Sequence, residues 1–139
     1  MKRNAFTLLE MLLVIALISM LALAVQTTGA GFYSDWELEN VRAKLKSDLM
    51  AARYSAFLNE TSETFTVNEN AYIRHDGKSV TMPNNVALVS PLIVSGSLEI
   101  VFDSLGGVSS GVTFEVKYGG TPRYEFAVNR LGRIKDDLK

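Results

Sequence analysis

The sequence predicts an α+β fold: a long N-terminal α-helix, its first half hydrophobic and membrane-embedded and its second half amphipathic, packed on a C-terminal antiparallel β-sheet domain. Three observations predict it. Residues 6–25 form a run of 20 in which Glu10 is the only charged residue. Leu38, Val41, Leu45, Leu49, Ala52 and Ala56 then recur at steps of three and four, the stripe of an amphipathic helix. After Asn59 the pattern breaks into short strand-like segments separated by Gly, Pro and Asn turns. A helix followed by strands, not alternating with them, is the α+β order.

The N-terminal element divides in two. A helix over residues 6–25 is roughly 30 Å long, about the thickness of a bilayer's hydrocarbon core. Lys2 and Arg3 precede it, and basic residues on that side favour a cytoplasmic N-terminus with the rest of the chain across the membrane. Residues 26–59 are the amphipathic continuation. Within them Gln26 to Gly31 is a weak point, and Ser34 followed by Glu37 reads as a capping box restarting the helix near Asp35. Lys44, Lys46, Asp48 and Arg53 are expected on or near the solvated side.

Residues 60–139 are expected to form the β-rich globular domain. Strands are predicted over Thr64–Val67, Ala71–Arg74, Ser79–Met82, Val86–Val89, Leu98–Phe102, Val112–Tyr118 and Arg123–Val128, with a short last one over Leu131–Lys135. His75-Asp76-Gly77-Lys78 and Pro83-Asn84-Asn85 supply turns, as does Gly119-Gly120-Thr121-Pro122. With no cysteine in the chain, this domain is held by core packing alone, without disulfides or thiolate metal sites. The balance of 14 Lys+Arg against 15 Asp+Glu lacks the overall basic excess of a nucleic-acid binder.

Three readings fit the N-terminal segment. Ala22-Leu23-Ala24 mimics the cleavage pattern of a secretory signal peptide. A plain membrane anchor is the second, and a prepilin leader, cut before an apolar stretch that is retained, is the third. Glu10 discriminates between them. A carboxylate near the start of an apolar helix is costly in lipid and needs a partner, and a disposable signal gains nothing from it.

Asn4-Ala5-Phe6-Thr7-Leu8-Leu9-Glu10 followed by Met11-Leu12-Leu13-Val14-Ile15 resembles the leader junction of type IV pilins and type II secretion pseudopilins. The resemblance implies a leader peptide of residues 1–5. A prepilin peptidase would cut between Ala5 and Phe6 and N-methylate Phe6, which leaves Glu10 fifth in the mature chain. Ala5 stands where the family usually has Gly. Glu10 would then pair with the new terminal ammonium of a neighbour, offsetting part of the desolvation and setting register in a helical filament of pilins or pseudopilins.

Further on, Val101-Phe102-Asp103-Ser104-Leu105-Gly106-Gly107, two strands, and Asn129-Arg130-Leu131-Gly132-Arg133-Ile134 resemble the GspH/FimT group of minor pilins and pseudopilins. That implies a minor subunit of the bacterial inner membrane, single-pass, with its C-terminal domain periplasmic or extracytoplasmic. It would initiate or cap a type II secretion filament that drives export of secreted proteins. The alternative is a FimT-like minor type IV pilin that binds DNA for uptake. Arg130, Arg133 and Lys135 form the basic cluster for it, since Gly132-Arg133-Ile134-Lys135 is similar to the Gly-Arg-x-Arg element of DNA-binding relatives.

Nothing points to catalysis or to a cofactor. His75, the single histidine, lies in a predicted polar turn without a second histidine or a cysteine at ligand spacing. Phosphate-binding glycine loops and nucleophile motifs are absent from the sequence. Asp136 and Asp137 lack the further oxygen ligands of a calcium site and read as a solvated chain end.

Overall fold

The computed structural model describes residues 7–93 and 96–139, with the side chains of residues 24–34 outside the description. The expected leader, the Ala5–Phe6 junction and the methylated Phe6 therefore lie outside the described residues. The chain divides into two compact units, Met1–Glu37 and Leu38–Lys139.

One helix, α1, runs from Leu8 to Asn59. It does not restart near Asp35, as the Ser34–Glu37 pattern led us to expect, because its backbone stays helical through Gly29 and Gly31. Each glycine costs about 1 kcal/mol of helix propensity relative to alanine but keeps its N–H, so the hydrogen-bond ladder survives. At the start of α1, Thr7 is the cap. Its Oγ1 accepts from the Glu10 N–H at 3.3 Å, and its carbonyl accepts from the Met11 N–H at 3.2 Å. The other end is closed by Glu60 in the left-handed region at φ +53°. The Thr61 N–H there reaches back to the Ala56 carbonyl at 3.2 Å, the closure usually built on glycine.

In the second unit the helix stripe is the floor of the core. Leu38, Leu45, Leu49, Ala52 and Ala56 are buried and Val41 packs beside them, as their spacing predicts. Fully burying a leucine contributes about 1.5–3 kcal/mol, so Leu45 and Leu49 anchor this segment. Against it lie eight described strands: β1 (Glu63–Asn68), β2 (Ala71–Ile73), β3 (Ser79–Thr81), β4 (Val86–Val89), β5 (Ser97–Phe102), β6 (Val112–Tyr118), β7 (Thr121–Val128) and β8 (Ile134–Leu138).

The strands form two four-stranded sheets, ordered β3-β2-β1-β5 and β4-β6-β7-β8. All pairings described are antiparallel. Strict alternation places one face of each sheet inward. In the first sheet Phe65 opposes Ile100 and Val67 opposes Leu98. In the second, Phe114 opposes Phe126 with ring centroids 5.4 Å apart. Pro122 has no N–H for the ladder, and the β6–β7 register shifts between Val116 and Lys117, opposite it.

Two expectations are corrected here. The last strand begins at Ile134, not Leu131, because Asn129 to Arg133 is taken up by a turn. Asp48 is not on the solvated side: it is buried and accepts a 2.6 Å hydrogen bond from the Tyr72 hydroxyl.

Candidate functional site

The first unit presents an apolar surface. From Leu8 to Leu23 every large hydrophobic side chain of α1 is exposed, far beyond the isolated apolar residues common on soluble proteins. Glu10 lies in the first turn, exposed, its N–H held by Thr7. Thr7-Leu8-Leu9-Glu10 has capping-box spacing, a signal that locates the helix start from sequence. Among the described residues no helix is long and apolar enough to cross a membrane. Phe6, Ala24 and Val25, which belong to the expected spanning segment, have no described side chains.

A charged seam ties β8 to α1 in the second unit. Asp136, its side chain only 7% exposed, accepts from Arg42 Nε at 2.7 Å and from Lys46 Nζ at 2.6 Å. Burial works against its charge. The two hydrogen bonds and the adjacent positive charges outweigh that and hold the carboxyl below the ordinary carboxylate range. Arg42 also pairs with Glu39 at 2.9 Å and stacks over the Tyr124 ring, 4.9 Å from its centroid. The Tyr124 hydroxyl donates to Glu39 at 2.9 Å. That bond, with Arg42, keeps the Glu39 carboxyl low. Asp136 is thus an inward anchor, contrary to the solvated chain end expected from Asp136-Asp137. A carboxylate alternating with Ile134 on a strand was the available signal.

Two turns at one end of the sheets share a design. In Asp103–Gly107 the Asp103 Oδ1 accepts from the N–H groups of Leu105 and Gly107 at 2.9 and 2.8 Å. In Asn129–Arg133 the Asn129 Oδ1 accepts from Leu131 and Arg133 at 3.1 and 2.9 Å. Both close with the same backbone bonds: Asp103 N–H to Gly107 O at 2.8 Å, and Asn129 N–H to Arg133 O at 3.0 Å. Gly106 and Gly132 occupy matching left-handed positions at φ +74° and +70°. The sequence signal is Asp/Asn-x-Leu-Gly written twice.

The turns are locked to one another. A Cβ on Gly132 would fall 1.8 Å from the Gly106 carbonyl oxygen. The Val108 N–H donates to the Arg130 carbonyl at 3.0 Å. Arg53, expected on or near the solvated side, is half-buried between the turns. It donates to Gly106 O at 3.0 Å and to Leu131 O at 3.2 Å. Arg130 and Arg133 belong to the second turn, Lys135 follows on β8, and all three side chains are exposed. Among the described residues none of the three makes an ion pair or side-chain hydrogen bond. Asp136 does not weaken their potential, since Arg42 and Lys46 neutralise it.

His75 is half-buried, and its Nδ1 has no hydrogen-bond partner. Among the described residues, no three His, Asp or Glu side chains converge as a metal site would require.

Residues 1–25 match the model of the prokaryotic N-terminal methylation motif. The fold is similar to the crystal structure of the type IV minor pilin FimU of Pseudomonas aeruginosa strain PAO1. The TM-score is 0.59 at 15% identity, over 78% of this chain and 92% of that one. This chain has the prepilin motif and the fold of the type IV pilin superfamily. No curated protein sequence matches it. For a pilin-like chain the motif implies processing by a prepilin peptidase and assembly with other pilins, and in the second unit α1 from Leu38 onward packs on the antiparallel sheets.

Proposed function

We propose that this chain is a minor pseudopilin-like subunit, a structural component and not an enzyme. A prepilin peptidase cuts it between Ala5 and Phe6 and methylates Phe6. Residues 6–25 anchor it once through the inner membrane, N-terminus cytoplasmic, with the C-terminal domain on the far side. From there it initiates or caps a type II secretion filament that drives protein export. The observation that carries this reading is the exposed apolar surface of α1 from Leu8 to Leu23 with a single carboxylate, Glu10, in its first turn. Lipid or the helices of neighbouring subunits are the natural cover for such a surface. The Glu10 carboxylate then meets the N-terminal ammonium of an adjacent subunit.

Replacing Glu10 with Ala is expected to leave membrane insertion intact and abolish incorporation into filaments. Normal incorporation of that variant overturns the role. The mass of the mature N-terminus gives a second test: N-methylated Phe6 is expected, whereas a start at Val25 reveals an ordinary signal peptide.

A second reading is favoured by the Arg130, Arg133 and Lys135 cluster, exposed and without ion pairs among the described residues. It makes the chain a minor type IV pilin that holds DNA for uptake. Phosphate contacts give affinity that falls steeply with salt, so a gel-shift titration across ionic strength with wild type and Arg133→Ala decides. No binding at low salt leaves the secretion-type reading.

A further inference from the structure

We propose that the C-terminal end of α1 and the Asp103–Gly107 turn form a groove that seats a segment of a different pilin-like subunit. That segment carries an apolar side chain beside a lysine or arginine. The proposal rests on the filament reading above. A helix packed on one face is ordinarily polar on the other. Here α1 has a second apolar stripe, exposed Met50, Tyr54, Phe57 and Leu58, on the side away from buried Leu49, Ala52 and Ala56. Tyr54 and Phe57, with Arg53, Leu105 and Gly106, line an open cleft of about 260 Å³. A wider hollow of about 550 Å³ continues from it, sharing Phe57 and Leu105 and adding Leu58 and Glu60. Leu105 is 81% exposed yet fixed. Its N–H donates to Asp103 Oδ1 at 2.9 Å, and Arg53 Nε donates to the Gly106 carbonyl at 3.0 Å. An apolar tip held in this way loses little entropy when it is covered.

Glu60 specifies the charge of the occupant. Among the described residues it is the one non-glycine with a positive φ, +53°, a conformation that favours glycine. It lines the wider hollow, exposed, and makes no ion pair or side-chain hydrogen bond among the described residues. A strained position that keeps a charge no neighbour uses points to a contact made outside the chain. Arg53, the cation in the cleft lining, is committed to the Gly106 and Leu131 carbonyls. The groove is therefore apolar with a negative rim, which repels the phosphates of nucleic acid and of anionic lipid. Its walls are too open to enclose a small molecule, since Phe57 is 57% and Leu58 73% exposed. They suit a side chain entering from a protein partner. A second copy of this chain offers Leu131 close to Arg130 and Arg133, but that turn is locked against the groove's own turn. Two copies docked through it would close on each other as an isologous pair. That would hide the surface an initiating or capping subunit presents to unlike neighbours.

Site-specific photocrosslinking of the full-length chain, in the cells that carry it, tests the groove. With p-benzoylphenylalanine in place of Leu105, irradiation should join the chain to a second pilin-like protein. Mass spectrometry should map the junction to an apolar residue next to Lys or Arg. The same probe in place of Thr121 is the control. Thr121 is at the far end of the eight-residue β7 from the paired turns, roughly 25 Å away at about 3.3 Å per residue. Glu60→Gln should lower the Leu105 crosslink roughly fivefold, the upper range of an exposed ion pair. Glu60→Gly should lower it as much while relaxing the closure of α1, so that loss does not come from unfolding. Glu60→Lys should remove the crosslink, and changing the mapped Lys or Arg of the partner to Glu should restore it.

Crosslinking at Leu105 no greater than at Thr121 overturns the groove, as does a crosslink indifferent to Glu60. A product made of two differently tagged copies of this chain, or one with a protein that lacks a prepilin motif, overturns the unlike-subunit partner. A chain that enters filaments without the Leu105 crosslink defeats the groove and leaves the filament reading standing. A chain that gives the Glu60-dependent crosslink in the membrane yet never enters filaments supports the groove and defeats the filament reading.

Discussion

Replacing Asp136 with Asn should destabilise the C-terminal unit by about 2 kcal/mol at pH 7, and the loss should shrink in acid. Asp136 makes two charge-assisted hydrogen bonds, 2.7 Å to Arg42 and 2.6 Å to Lys46, each worth about 1.5–3 kcal/mol when buried. Asn keeps one acceptor, and both cations are about one-third exposed, so water returns part of the loss. For a unit of about 100 residues, 2 kcal/mol corresponds to a fall of roughly 10 °C in Tm. The sign with pH follows from the depressed carboxyl. Its stabilisation is fully present above the ordinary carboxylate value, near 3.9, and is lost as pH falls through the lower folded value. Thermal unfolding of the full chain in detergent, followed by circular dichroism at pH 7 and pH 3, reads both quantities. Equal gaps at the two pH values, or none at pH 7, would refute the anchoring role of Asp136.

Four other substitutions probe the same unit. Gly132→Ala should cost about 3 kcal/mol or more in chemical unfolding, because its Cβ meets the Gly106 carbonyl at 1.8 Å. Gly119→Ala, left-handed too but in open space, should cost only about 1–2 kcal/mol. Glu60→Gly should stabilise by about 0.5–1 kcal/mol, since the left-handed closure of α1 at φ +53° favours glycine. A lower urea midpoint for that variant would contradict the assignment. Tyr72→Phe should cost about 1–3 kcal/mol by removing the 2.6 Å bond to buried Asp48, and unchanged stability would show that Arg74, 3.5 Å away, suffices.

Much of the fold was legible because it rests on periodicity. The stripe from Leu38 to Ala56 was buried as its spacing indicated, and β4 and β6 coincide with the segments read from alternation and turn residues. Where the sequence reading went astray, a local signal lost to a longer-range one. Ser34 and Glu37 have the form of a cap, but helical backbone already enters from the N-terminal side and needs none. Leu131 looked like the start of a strand until Asn129 Oδ1 was found holding the Leu131 and Arg133 N–H groups in a turn. Thr7 was overlooked although Thr-x-x-Glu before an apolar run names it.

The N-terminal reading needed no tertiary contact. An apolar run of bilayer length, basic residues before it and one carboxylate near its start are properties of consecutive residues, and the match over residues 1–25 rests on the same residues. Tertiary structure decided the roles of charges distant in sequence. Asp136 meets Arg42 and Lys46 across 94 and 90 residues, and Arg53 reaches Gly106 and Leu131 across 53 and 78. Periodicity shows which face of an element turns inward. Whether a charge on that face finds a partner depends on which strand lies beside the helix, and only the folded register sets that.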